Sequence, residues 1–311
     1  MNRIKLNKGP IFPAKLKNKI SLAHNINYFF LKFTFKGSER IRKTISKLLI
    51  PKPKGETIWP TVYGFNFFLN FKNKNIIEQG IYRYGAYEAG IINVIRNYLK
   101  PGDTFMDIGS NIGIISLAAS QIVGDNGHIY SFEPEPDTFF FFKKNISLNN
   151  IKNITAFKHG LGSIKETKNI YYHEEYGNST FIKLENNKNK PIEKKVFIDT
   201  LDNVIKDNNI KRIKMIKIDV EGWEFEVLKG AERLLKSKNA PIISIEYFEG
   251  INAEGGLPIN FVNYISSINN YKIYKLKKSK EFISDLIEVK NKEDLPHSNE
   301  NLFCFLPHHL K

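Results

Sequence analysis

The sequence predicts an α/β fold built on a mainly parallel, doubly wound sheet, and three observations carry that expectation. The first is Thr104-Phe105-Met106-Asp107-Ile108, a short buried strand, running into the turn Gly109-Ser110-Asn111-Ile112-Gly113 and the helix start Ile114-Ile115-Ser116-Leu117. Strand, tight glycine turn and helix open a nucleotide-binding half-sheet, with the ligand beyond the carboxyl end of the strand. The second is the alternation that follows: strand 104–108, helix 111–122, strand 128–133, helix 136–149 and strand 154–158. The third is a set of acids closing strands on one side of the sheet: Asp107, Asp219 after Met215–Ile218, and Glu246 after Ile242–Ile245.

The glycine spacing selects the ligand. A dinucleotide fingerprint is G-x-G-x-x-G, which seats a pyrophosphate on a helix N-terminus. Here Gly109 and Gly113 are spaced G-x-x-x-G, and Asp107 lies two residues before the first. A carboxylate gains nothing beside a pyrophosphate, but it suits a ligand carrying an ammonium and a sulfonium, such as S-adenosylmethionine (SAM). Gly109 and Gly113 are expected to let the backbone approach that ligand, with Ser110 and Asn111 between them in the same loop. The next strand, His128–Phe132, ends in Glu133-Pro134, where an acid is placed to accept the ribose hydroxyls. Glu133 suits NAD as well as SAM, so an NAD-dependent oxidoreductase stays open at this point.

The other elements follow in chain order. Residues 1–57 hold 14 Lys/Arg against two Glu, so +12 of the formal charge of +15 sits there. This stretch reads as a basic N-terminal arm ahead of a domain at 58–311. Ile41–Leu49 is expected as a short basic amphipathic helix, and Pro51-Lys52-Pro53-Lys54-Gly55 as a linker. The arm either packs on the domain or attaches it to an anionic membrane surface or a polyanionic substrate. Nucleic acid is not expected, because the remaining 33 basic and 30 acidic residues nearly balance. Val62–Leu69 reads as a hairpin or edge strand. Gly85-Ala86-Tyr87-Glu88 opens a helix through Leu99.

The aromatic block Phe139–Phe142 predicts a helix buried on several sides. Ile170-Tyr171-Tyr172 and Thr180-Phe181-Ile182 read as a β insertion before Val196–Ile198. Helices are expected at 200–208, 223–236 and 259–268. Tyr271–Leu276 and Asn301–Leu306 are expected as an antiparallel pair at the sheet edge, and 277–294 as an exposed loop or irregular helix. Cys304, the sole cysteine, lies in the apolar run Leu302–Leu306 and excludes an internal disulfide. No run reaches the roughly 18 apolar residues of a spanning helix, and no leader is apparent. The expected location is cytoplasmic, with peripheral membrane contact through residues 1–57.

Asp107-Ile108-Gly109-Ser110-Asn111-Ile112-Gly113, Phe132-Glu133-Pro134 and Lys217-Ile218-Asp219-Val220-Glu221-Gly222 together resemble the FkbM family of SAM-dependent methyltransferases. Gly177-Asn178-Ser179-Thr180 and Thr200-Leu201-Asp202 resemble it too, and the similarity runs from about Ile58 onwards. Ser110 stands where the family usually has Ala. The resemblance implies a class I SAM-dependent methyltransferase fold, Rossmann-like, whose mainly parallel sheet has seven strands and an antiparallel edge. It further implies O-methylation of a sugar, a glycan or another hydroxyl, and it sets the helix after Glu88 over the cofactor, so Tyr87 and Glu88 become candidates there. Attack by a hydroxyl needs a positioned base. Asp219 and Glu221 are the first candidates, with Glu246 beside them and His159 behind them. Oxygen ligands from Asp219, Glu221 and Glu246 would also suit magnesium. A non-catalytic, membrane-associated binding module remains the non-enzymatic alternative.

Overall fold

Strands rich in Ile, Phe and Met pair side by side because each is apolar on both faces. In the computed structural model, which describes residues 2–8, 19–71, 75–173, 178–182, 191–247 and 258–310, five of them run parallel. Ile154–Phe157, His128–Phe132, Thr104–Ile108, Ile213–Ile218 and Ile242–Tyr247 lie in that spatial order. Glu300–Phe305, Lys272–Leu276, Leu286–Val289 and Arg3–Ile4 then extend the sheet antiparallel. The sheet is therefore mixed and has nine strands, not seven. The expected pair 272–276 and 300–305 is present, but it is interior to the antiparallel half.

One of the two extra strands corrects a reading, and the other shows the arm packing on the domain. Leu286–Val289 lies in the segment read as an exposed loop, where Lys and Glu around a four-residue strand hide its alternation. Arg3–Ile4 comes from the basic arm and pairs with that strand. The helix Lys19–Lys32 buries Ala23 and Leu31 in the main core, and His24 fits against Gly85, where an added Cβ would lie 2.5 Å from its ring. The expected amphipathic helix is present as Ser38–Leu49. Residues 1–57 are thus built into the fold at several points, and position 57 falls inside the strand Glu56–Pro60, which pairs with Asn66–Asn70.

Alternation along each strand separates two cores. Phe105, Ile129, Met215, Ile242 and Phe303 face the helices Ala89–Tyr98 and Ile114–Val123. Met106, Ile108, Ile216, Ile218, Ile243 and Ile245 face Leu201–Asp207, Glu224–Lys229 and Pro258–Ile268. The single helix expected over 223–236 is two, Glu224–Lys229 and Glu232–Leu235. Gly230 sits at the break because its neighbour Gly162 leaves no room for a Cβ, which would lie 1.9 Å from the Gly162 carbonyl oxygen. The helix Pro136–Leu148 is not buried all round: Phe142 is fully buried while Phe140 is 62% exposed. The β insertion is a separate four-stranded sheet of Gly160–Leu161, Glu166–His173, Asn178–Thr180 and Ile192–Asp199. Cys304 is buried and reduced in Glu300–Phe305, its thiol pushed up by burial.

Candidate active site

The carboxyl ends of the central parallel strands open into a cleft of about 1040 Å³, its mouth included. Gly109–Gly113 and Glu133 line one side; Asp219, Val220, Glu221 and Glu246 line another; Tyr87, Glu88 and Lys280 close it, with Asn178 and Ser179 of the insertion opposite. All but two of the residues expected for cofactor or chemistry are in this lining. The exceptions are Asp107 and His159.

Asp107 is fully buried in the sheet and does not reach the cleft. Its register neighbours are Lys217 and Ser131, and it accepts a 2.5 Å hydrogen bond from Ser116 Oγ. Burial, against the pull of Lys217, raises its pKa. It lies in a polar row across the sheet centre with Ser131 and Lys217, and its Oδ1 has no hydrogen-bond partner among the described residues. Lys217 completes that row. It is 3% exposed and its Nζ donates to Asp219 Oδ2 at 2.9 Å. Its pKa is raised because Asp219 and Asp107 together outweigh the burial that lowers it. Nothing in the sequence pattern flagged a lysine in mid-strand as internal.

The glycines line the cleft and also have a packing role that the sequence did not show. A Cβ on Gly109 would lie 1.7 Å from the Asp219 carbonyl oxygen, and one on Gly113 would lie 2.3 Å from the Phe142 ring. Both sit at positive φ, +81° and +97°. Their bare Cα atoms therefore admit the neighbouring strand end and helix, and the cleft inherits its shape from that packing. Within the loop, Gly109 and Ser110 donate their N–H groups to the Phe132 carbonyl, each at 3.0 Å. Asn111 N–H donates to Glu133 Oε2 at 2.9 Å, and Glu135 N–H to Glu133 Oε1 at 2.9 Å. Each Glu133 oxygen keeps a further lone pair for a ribose hydroxyl. Burial raises the Glu133 pKa to about 8.

Three of the six non-glycine residues with left-handed backbone among the described residues line this cleft: Glu88, Asn111 and Glu221, at φ 47°, 49° and 55°. Such positions cost about 1–3 kcal/mol each and cluster where function over-determines the backbone. For Glu221 the constraint is visible. Glu224, buried at the start of its helix, accepts from Val220 N–H at 2.9 Å and Gly222 N–H at 3.2 Å. Thr180 of the insertion donates to the Glu221 carbonyl at 2.7 Å. The turn is held from both sides, and its side chain is turned into the cleft.

Asp219, Glu221 and Glu246 offer carboxylate oxygens that lie within 4.8 Å of one another. Lys280, from the segment expected to be an exposed loop, places its Nζ 2.9 Å from Glu246 Oε1 and 3.3 Å from Glu88 Oε1. Gly90 N–H donates to the Lys280 carbonyl at 2.9 Å and fixes that segment over the cleft. Asp219, Glu221 and Glu246 share two ammonium groups, so their pKa values separate. Burial would raise Asp219, but Lys217 and Lys280 hold it below the ordinary range. Burial and the Asp219 charge lift Glu221 to about 7 and Glu246 well above its usual value. The oxygen cluster has the donor type a divalent cation takes, but Lys217 and Lys280 already supply positive charge at two of its three members. His159 is outside the lining, packed against Phe132, Phe157 and Phe197.

A family model described as the methyltransferase FkbM domain matches residues 107–273, more than half of the chain. The chain is similar to Methyltransferase 1 of Beauveria bassiana, 31% identical over 42% of this chain and 60% of that protein. It is also similar to the hexuronic acid methyltransferase AglP of Haloferax volcanii, 28% identical over 51% of this chain and 62% of that one. The chain thus spans about three fifths of the length of these curated relatives. Among solved structures, M. jannaschii TYW2 in complex with AdoMet aligns with 82% of this chain and 87% of its own at 14% identity and a TM-score of 0.40.

Proposed function

The chain belongs to the FkbM methyltransferase family, with SAM as its cofactor, and from that premise we propose that it methylates an oxygen of a sugar, a glycan unit or another small hydroxyl-bearing acceptor. The observation that supports this most is the carboxylate trio Asp219, Glu221 and Glu246 facing the same cleft as the glycine loop and Glu133. The hexuronic acid methyltransferase among its relatives favours a sugar acceptor. The residues present fit the cofactor: Glu133 and the Gly109–Gly113 loop for ribose and adenine-side contacts, and an acid-rich floor for a cationic centre.

Bound SAM supplies an electrophilic methyl group. The protein aligns an acceptor oxygen with it and keeps water out. Asp219, kept ionised by Lys217 and Lys280, favours positive charge in the floor of the cleft. Glu221, at about 7, is half ionised near neutrality and can take the hydroxyl proton as the oxygen attacks. Glu246, its pKa raised by burial and by the Asp219 charge, shares a hydrogen bond with Asp219 that fixes the orientation of both. Lys280 ties Glu246 to Glu88 and so closes the cleft on the side of the Ala89–Tyr98 helix. Labelled-methyl transfer from SAM to uronic acids, neutral sugars and cell-envelope glycans tests the reading. Transfer to oxygen supports it. Robust transfer only to nitrogen or carbon acceptors would replace it.

A further inference from the structure

The side of the molecule built by residues 19–49 carries features that the cleft does not use. Phe29, Phe33 and Phe35 are 52%, 58% and 55% exposed. Their rings form one patch, with Phe29 4.8 Å from Phe33 and 5.6 Å from Phe30, and Phe30 5.8 Å from Phe35. Solvent-facing aromatic clusters are rare unless something covers them. The chain then turns at Gly37 into Ser38–Leu49, whose inward face is pinned. Arg42 stacks on Tyr84 with its guanidinium 4.7 Å from the ring, and Ser46 Oγ donates to the Arg83 carbonyl at 3.2 Å. Pinning that face leaves Arg40, Lys43, Thr44 and Lys47 on the outside, lining a shallow open groove with Glu39. Leu48, 76% exposed, and Ile41, 38% exposed, stand on the same outward side.

We propose that this face, the Phe29–Phe33–Phe35 patch together with the Arg40–Lys43–Lys47 stripe, docks the enzyme on a bilayer surface bearing anionic headgroups. The charge decides between occupants. The first 57 residues carry +12, so a second copy of the chain would meet like charge with like. A soluble polyanion would use the stripe and leave the rings uncovered. A membrane interface uses both, with aromatic rings at the headgroup boundary and cations among the phosphates. No helix among the described residues is long and apolar enough to cross a membrane. Docking there would bring the cleft to acceptors held at a membrane, a step beyond the proposed chemistry and independent of it.

Point variants are the right probe, because residues 1–57 also supply an edge strand and core side chains. Full-length protein is floated with vesicles of phosphatidylcholine alone or with added phosphatidylglycerol, at low and high salt. Wild type is expected to float with the anionic vesicles only. Phe29→Ser/Phe33→Ser/Phe35→Ser and, separately, Arg40→Gln/Lys43→Gln/Lys47→Gln should each weaken binding at least ~tenfold, with melting temperatures near wild type. The fluorescence that Phe33→Trp adds to that of Trp59 and Trp223 should be quenched by brominated lipid. Failure of the wild type to float overturns the proposal. So does a phenylalanine variant that binds as wild type, which would leave mere charge adsorption. Binding of heparin or single-stranded RNA with no vesicle binding would assign the face to a polyanion instead.

Discussion

Replacing Gly109 by alanine tests how the cleft is built. The added Cβ would lie 1.7 Å from the carbonyl oxygen of Asp219, and the backbone stands at φ +81°. The left-handed conformation costs an L-residue about 1–2 kcal/mol. Overpacking against backbone, which has no rotamer to escape into, costs a further 1–3 kcal/mol or so. Gly64→Ala separates the two, because Gly64 has φ +88° and nothing within 4 Å of its added Cβ. Gly64→Ala should show the conformational cost alone. Gly109→Ala should exceed it by about 1–3 kcal/mol, a few degrees in melting temperature for a chain of this size. It should also push Asp219 away from Lys217, so SAM affinity and methyl transfer fall in Gly109→Ala and not in Gly64→Ala. The assays are thermal melting and calorimetric SAM titration on both variants. Equal stability and equal SAM affinity would refute the close-approach account of this loop.

Two other outcomes follow from the site. Glu133→Ala removes two hydrogen-bonding partners of the ribose hydroxyls and should weaken SAM about tenfold by calorimetry, at roughly 0.5–1.5 kcal/mol for each bond to a carboxyl whose pKa burial raises to about 8; unchanged affinity in a folded variant would contradict the ribose assignment. Glu221 has its pKa raised to about 7, so the base is protonated and idle below that pH and becomes competent above it. The kcat/KM profile should therefore rise through pH ~7, and Glu221→Gln should remove that limb; a limb that survives unchanged in the variant would assign it to another group.

The parallel half of the sheet was legible because its signals are local. A strand of apolar residues, a glycine turn and an apolar helix need no distant partner to be recognised, and Asp219 and Glu246 sit at strand ends where such folds place ligands. Glu88 and Glu221, named from the sequence, line the same cleft, and only the structure shows that both hold left-handed backbone. The parts that were missed depend on contacts across the chain. Lys217 reads as an outward residue of an alternating strand until Asp107 and Asp219 are placed beside it. Lys280 sits in a Lys/Glu-rich stretch that looks solvated, and Gly90 and Glu300 bring it to the cleft. Asp107 was assigned to the ligand because its spacing to Gly109 is right, but its side chain turns to Ser116 on the other side of the strand. Arg3–Ile4 is a two-residue strand with no pattern of its own, and only its partner Leu286–Val289 defines it.

The central claim is that an oxygen is methylated in a cleft whose base is one of these strand-end acids. The direct measurement is single-turnover methyl transfer from labelled SAM to an acceptor that the wild-type protein modifies, compared among wild type, Asp219→Asn and Glu221→Gln. Each variant is nearly isosteric with the wild type. The variant that removes the base should lose about 10²–10⁴-fold in transfer while binding SAM within a few-fold of wild type, and the methyl should be recovered on oxygen. Transfer within a few-fold of wild type in both variants, or a methyl recovered on nitrogen or carbon, would contradict the account.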